Sequence, residues 1–210
     1  MLVNDRRNGR TGVDILSTEG RLIRFVPGEV GGRGYSSKPL FYTALSADGD
    51  WLATVSERTL RLVGVDDGKQ RWSVSARSTM KPELLAFSPG AELLAVNVGR
   101  NLSLYRLDSS DPVLALKLPR GLFRGWFLKP RRLLLLLTDG RLLTLDITKK
   151  RKVYSGEPVV VASLSGQLGV AELTEEGVLY AASQYGGALY RFDLKTVSYT
   201  HLRAHETVRN

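Results

Sequence analysis

The sequence has no cysteine at any of its 210 positions and no histidine before His201. Disulfides are excluded. Upstream of that histidine the chain cannot build the thiolate or imidazole sites that zinc and most transition metals favour. It also lacks a Cys nucleophile and a Ser-His-Asp relay. The missing cysteines fit a cytosolic chain and a disulfide-free exported one equally, so the compartment stays open, with the cytoplasm as the default. Long apolar runs are absent too: the longest pure leucine run, Leu133 to Leu137, falls far below the roughly 20 residues of a membrane-spanning helix. It reads as a buried strand, and no membrane span is expected. The start, "MLVNDRRNGRTG", is basic but has no apolar stretch behind it, unlike a secretory signal. Residues 27–39, "PGEVGGRGYSSKP", are rich in Gly and Ser but lack the G-x-x-x-x-G-K-[ST] spacing of a phosphate loop. They read as a loop between repeats.

What is present is an ordinary globular composition, 43% apolar and 24% charged, with a formal net charge of +9. No segment is a long amphipathic helix. Instead, short apolar strings of four to six residues alternate with turns of Gly, Pro, Asp and Ser, which is how strands read. The strings repeat. "LRLVGVD", "LSLYRLD", "RLLTLD" and "ALYRFD" end on Asp66, Asp108, Asp146 and Asp193, with Leu62, Leu104, Leu142 and Leu189 four positions earlier. The aspartates are 42, 38 and 47 residues apart, a period typical of one supersecondary unit copied along a chain. "RLIRFV" fits the same register through Leu22 and Phe25 without the final Asp.

Each period runs in one order. A first string ("FYTAL", "LLAF", "FRGWFL", "LGVAEL") enters a polar turn, a second follows ("WLATV", "LLAVN", "LLLLL", "VLYAA"), and then comes the Asp-terminated string. A weaker fourth ("RWSV", "VLALKL", "KVYS") closes the period. Four strands in about 40 residues describe a propeller blade. The stretches "ALSADGDWLATVSERTLRLVGVDDGKQRWSV" and "LAFSPGAELLAVNVGRNLSLYRLD" resemble the WD40-like branch of the β-propellers in their apolar-Ser-x-Gly first turn and apolar-Asp third-strand ending. They depart from it in having no Gly-His pair and no Trp before the Asp. The resemblance implies an all-β fold, an open arc of about four blades of four antiparallel strands over residues 13–196, preceded by an N-terminal segment, 1–12. "VDDGKQRWSV" also resembles the Asp-Gly-Lys-Trp turn of quinoprotein propellers, in which the Trp docks neighbouring blades around a quinone. The spacing from Asp66 to Gly68 is short for that turn and it occurs once, so Trp72 reads as an outer-strand packing residue.

The last 14 residues, Val197 to Asn210, "VSYTHLRAHETVRN", are unlike the rest and hold both histidines. They resemble one frame of the mosaic-end adaptor used in transposase-based sequencing libraries, residue for residue from Val197 to Glu206. Both junctions obey the reading: Thr196 has a codon compatible with the two preceding adaptor bases, and Asn210 with the two bases after the index. A tail of this kind is set apart from the fold. It is expected to pack against nothing, or at most to borrow the free edge of the last blade, "ALYRFD". Without the tail's net +1 (Arg203 and Arg209 against Glu206) the chain keeps +8.

The repeated aspartates occupy a structural position, each expected to accept backbone hydrogen bonds in its turn. No catalytic pair breaks the repeat, so no enzyme and no cofactor is expected, and Lys149 to Lys152 read as solvated turn charge. The turns between second and third strands carry Arg58, Arg100 and Arg141, with Arg120 and Arg124 in one connection. Equivalent turns of successive blades lie side by side, which predicts a positive face for a partner's acidic protein segment. Nucleic acid is not expected, because no aromatic residues are interleaved for base stacking. The expected role is an interaction scaffold. A sensor or accessory propeller of a larger protein and a quinoprotein-like enzyme are the alternatives.

Overall fold

The computed structural model describes residues 2–7, 10–27, 41–150, 153–185, 187–195 and 198–203. The chain divides into two compact units, Met1–Lys117 and Leu118–Asn210. All regular structure among the described residues is β, in antiparallel sheets of blade type. The Gly- and Ser-rich segment lies outside the described residues, apart from Pro27.

In the first unit, β1 (Leu2–Arg7), β2 (Arg10–Leu16) and β3 (Leu22–Pro27) form a three-stranded sheet. Residues 2–7 pair along their whole length with residues 10–15. Next come β4 (Phe41–Leu45), β5 (Trp51–Ser56), β6 (Thr59–Gly64) and β7 (Gln70–Ser75), paired in chain order. The third sheet is β8 (Pro82–Phe87), β9 (Leu93–Val98), β10 (Asn101–Arg106) and β11 (Pro112–Lys117), again in chain order.

The pleat sends alternate side chains to opposite faces. Ala53, Val55, Leu60 and Leu62 thus share one face of the second sheet, where they are fully buried with Leu94 and Val96 of the third. Leu52 and Val63, on the opposite face, pack with Ile15 and Val26 of the first sheet. Trp72 joins the second and third sheets. It is buried, its ring centroid lies 5.5 Å from that of Tyr105, and its indole N–H donates to the Leu107 carbonyl at 3.0 Å. It is an outer-strand packing residue, as expected, and it also docks the neighbouring sheet.

In the second unit, β12 (Leu122–Lys129), β13 (Arg132–Leu137) and β14 (Arg141–Asp146) are followed by a small hairpin, β15 (Thr148–Lys150) and β16 (Val153–Ser155). The outer strand of this sheet is β17 (Pro158–Ser163), paired to β14. The string "KVYS" was expected there. Residues 148–150 instead pair with 153–155, and the valine run takes the edge, where Pro158 is tolerated as a first residue. Every leucine from 133 to 137 is fully buried, as a core strand requires.

The last sheet is β18 (Leu168–Leu173), β19 (Val178–Ser183), β20 (Ala188–Asp193) and β21 (Ser198–Arg203). Leu134, Leu136 and Leu142 pack there with Ala171, Leu179, Ala181, Tyr190 and Phe192. β21 comes from the adaptor-like tail and pairs with β20 from Ala188↔Arg203 to Asp193↔Ser198. The tail thus takes the free edge, the second of its two expected outcomes, and "ALYRFD" is not left unpaired.

Candidate functional site

One turn in each of four sheets is pinned by a hydroxyl: the turn between the first two strands in three of them, and the β2–β3 turn in the first sheet. Ser17, Ser46, Ser88 and Thr174 each accept, through the side-chain oxygen, the amide of the residue that resumes the chain: Arg21 at 3.2 Å, Trp51 at 2.9 Å, Leu93 at 3.0 Å and Val178 at 3.2 Å. This is the local physics beneath the apolar-Ser-x-Gly motif, since the hydroxyl, buried at Ser46 and Ser88, fixes both the turn and the register after it.

The repeated aspartates do not share one role. Asp193 caps its turn by accepting the Lys195 amide at 2.9 Å. In the second sheet Asp67, not Asp66, accepts the Lys69 amide, at 2.9 Å, and pairs with Arg71 at 3.0 Å. The Asp66 carbonyl accepts the Arg24 guanidinium. Asp108 pairs with Arg106, and Asp146 with Arg132, its directly opposite residue on β13, through two guanidinium nitrogens. Asp193, too, has an arginine two residues earlier, Arg191 at 3.8 Å, and keeps its turn amide beside it.

In the first unit Arg58 and Arg100 stand in equivalent turns, β5 to β6 and β9 to β10, and both are exposed. Arg58 is braced by the connection leaving β7: Ala76 N–H donates to the Arg58 carbonyl at 2.7 Å, Met80 N–H to the Glu57 carbonyl at 2.6 Å, and the Arg58 guanidinium reaches the Arg77 carbonyl at 3.5 Å. The same connection brings Arg77 and Lys81, both exposed, to this end of the sheets. Two acids share it, Glu57 beside Arg58 and Glu83, which accepts the Gly99 amide at 2.9 Å. Arg77 and Lys81 are not among the residues expected from the sequence, because they lie in the connection between β7 and β8, outside the turns that the repeat marks. The connection "ARSTMKP" ends on the same side, and its two cations were the signal.

In the second unit the charges behave differently. Arg141, the first residue of β14, holds Asp139 through its Nε at 2.9 Å, a second guanidinium nitrogen at 2.8 Å and its own amide at 3.2 Å. Arg120 approaches the same carboxylate at 3.7 Å. Hydrogen bonding from Arg141 keeps the Asp139 carboxyl below the usual carboxylate range, against the opposing pull of partial burial, with the nearby Arg120 charge adding to it. Gly140 makes the turn possible. Its φ is +84°, and a side chain there would run into the Leu164 carbonyl. Arg124 is exposed on β12 itself, beside a bulge, rather than in the connection before it. The site thus resolves into an exposed cationic edge of the first unit (Arg58, Arg77, Lys81, Arg100) and a neutralised cluster in the second (Arg120, Asp139, Arg141).

No group of three or more His, Cys, Asp or Glu able to hold a metal ion occurs among the described residues. Nor is any helix among them long and apolar enough to cross a membrane. No family model and no curated protein matches the sequence. Solved structures do match by fold. The dihydro-heme d1 dehydrogenase NirN, solved in complex with DHE, aligns with a TM-score of 0.69 over 97% of this chain at 15% identity. BamB from Moraxella catarrhalis gives 0.59 over 97% at 18%, and the WD40 domain of SCAP from fission yeast gives 0.59 over 81% at 12%. The chain spans 43%, 64% and 46% of those three structures. By fold it stands with WD40-type and related propeller structures.

Proposed function

We propose that the chain is an interaction scaffold that offers the turn end of its first unit to an acidic segment of a partner protein. The observation that carries this reading is the placement of Arg58 and Arg100 in equivalent exposed turns of two packed sheets, with Arg77 and Lys81 delivered to the same end. Guanidinium groups suit bidentate recognition of carboxylates, and exposed charges of this kind weaken with salt. The likeness to a WD40 domain and to BamB supports a scaffold by fold alone. Arg141 contributes less, because Asp139 already occupies its fork.

Titrating the chain with a fluorescent oligoglutamate peptide tests the reading. The variant R58E/R100E is expected to lose at least tenfold in affinity, and R141E less than threefold. Equal binding by R58E/R100E and the parent chain would end the proposal. A second reading, a propeller holding a cofactor, draws on the docking of Trp72 onto the next sheet and on the likeness to a dehydrogenase. Capture of a quinone would survive R58E/R100E, so the same variant separates the two.

A further inference from the structure

β17 differs from the other outer strands. Between Pro158 and Ser163 it carries no charged side chain, and two consecutive valines, Val159 and Val160, are 59% and 52% exposed. Neighbouring residues of a strand face opposite ways, so neither face of this edge is covered in its first half. Val153, on the adjoining hairpin, is 68% exposed. The comparable edges are protected: β7 carries Gln70 and Arg71 and buries Trp72, and β11 ends on Lys117. Charged side chains are a standard means of blunting an open edge. The β20 edge, by contrast, is paired by β21.

The hairpin that precedes β17 in the chain, ending at Ser155 just before Pro158, is positively charged. β15 exposes Lys149 and Lys150, and the Lys149 ammonium sits 5.3 Å from the Tyr154 ring centroid. Among the described residues from 149 to 157, Lys149 and Lys150 stand against the single acid Glu157. Asp146, the nearest acid on the chain before them, is already held by Arg132. An open row of backbone donors and acceptors flanked by apolar side chains and cations is complementary to an extended segment that is acidic at one end and β-branched at the other.

We infer that the β17 edge is a strand-addition site for a partner protein's extended segment. Its acidic residues lie against Lys149 and Lys150 of β15 and its apolar residues against Val159 and Val160. A second copy fits poorly, because it would bring to the site the same exposed lysines, Lys149 and Lys150, and no acidic strand to meet them. This surface lies in the second unit, apart from the Arg58 and Arg100 turns, and does not depend on the function proposed for them.

The test uses the full chain and a labelled peptide of four glutamates followed by alternating valine and threonine. A second peptide of the same sequence is N-methylated at alternate valines, which removes backbone donors without changing charge. The account predicts saturable binding of the first peptide, with at least tenfold loss on N-methylation, in V159K/V160K and in K149E/K150E. Binding in R58E/R100E should change less than twofold. Circular dichroism checks that each variant keeps the parent's fold. No binding, indifference to N-methylation, loss only in R58E/R100E, or a dimer of the chain that V159K/V160K dissolves would each overturn the inference.

Discussion

Asp139 gathers two arginines into one turn, and the linkage between its charge and folding has a definite sign. Because Arg141 lowers its carboxyl in the folded state, the contribution to stability is complete above the ordinary carboxylate range near pH 4. It is lost as pH falls through the lowered folded value. The stability difference between the parent chain and D139N, followed by urea denaturation, should be constant from pH 7 to about pH 5 and shrink towards pH 2. A difference that grows on acidification would contradict this assignment. Among single residues, Arg58 and Arg100 were legible as turn cations because they recur in register. The neutralisation of Arg141 was less so, because which acid a guanidinium reaches depends on a turn that Gly140 holds at positive φ. The split roles of the repeated aspartates escaped notice for a similar reason. A repeated position fixes where a carboxylate stands and leaves its donor to the local surroundings: Arg132 across the strand for Asp146, Arg106 two residues earlier for Asp108 and the Lys195 amide for Asp193.

At the level of strands, alternation and turn chemistry carried most of the information. The second strands were readable as cores because "LLAVN" and "LLLLL" sit between strong turn signals, and they are the buried strands of their sheets. β17 was hidden by its own composition. Three consecutive valines show no period of two, and Pro158 argues against a strand unless the strand lies at an edge. The two kinds of position should respond very differently to truncation. Leu136→Ala, at a fully buried site, should cost about 2–5 kcal/mol. Val159→Ala should stay within about 0.5 kcal/mol, as exposed substitutions do. Thermal or urea unfolding of both variants measures this, and equal losses would mean that β17 is packed rather than open. The pairing of β21 with β20 belongs to this scale as well. Six residues matching an adaptor translation complete a sheet there, which shows how little an edge asks beyond backbone donors and acceptors.

At the scale of the whole molecule, the repeat is the structural unit: a first turn pinned by a hydroxyl in three of the sheets, a second strand that contributes to the core, a third strand ending on or next to an acid in the four later sheets, and an outer strand whose content varies. In the last sheet Val170, Tyr180 and Leu189 share one face with Glu172 and Arg191 and are 51%, 39% and 38% exposed, while Ala171, Ala181 and Tyr190 on the other face are buried. Hydrogen exchange read by mass spectrometry tests the repeat directly, since protection follows burial and local stability. If each period folds as one blade, amides of residues 51–56, 93–98, 132–137 and 178–183 exchange slowest in their sheets, and those of 148–155 exchange fast. Protection that ignores this period, with 148–155 as slow as the second strands, would contradict the account.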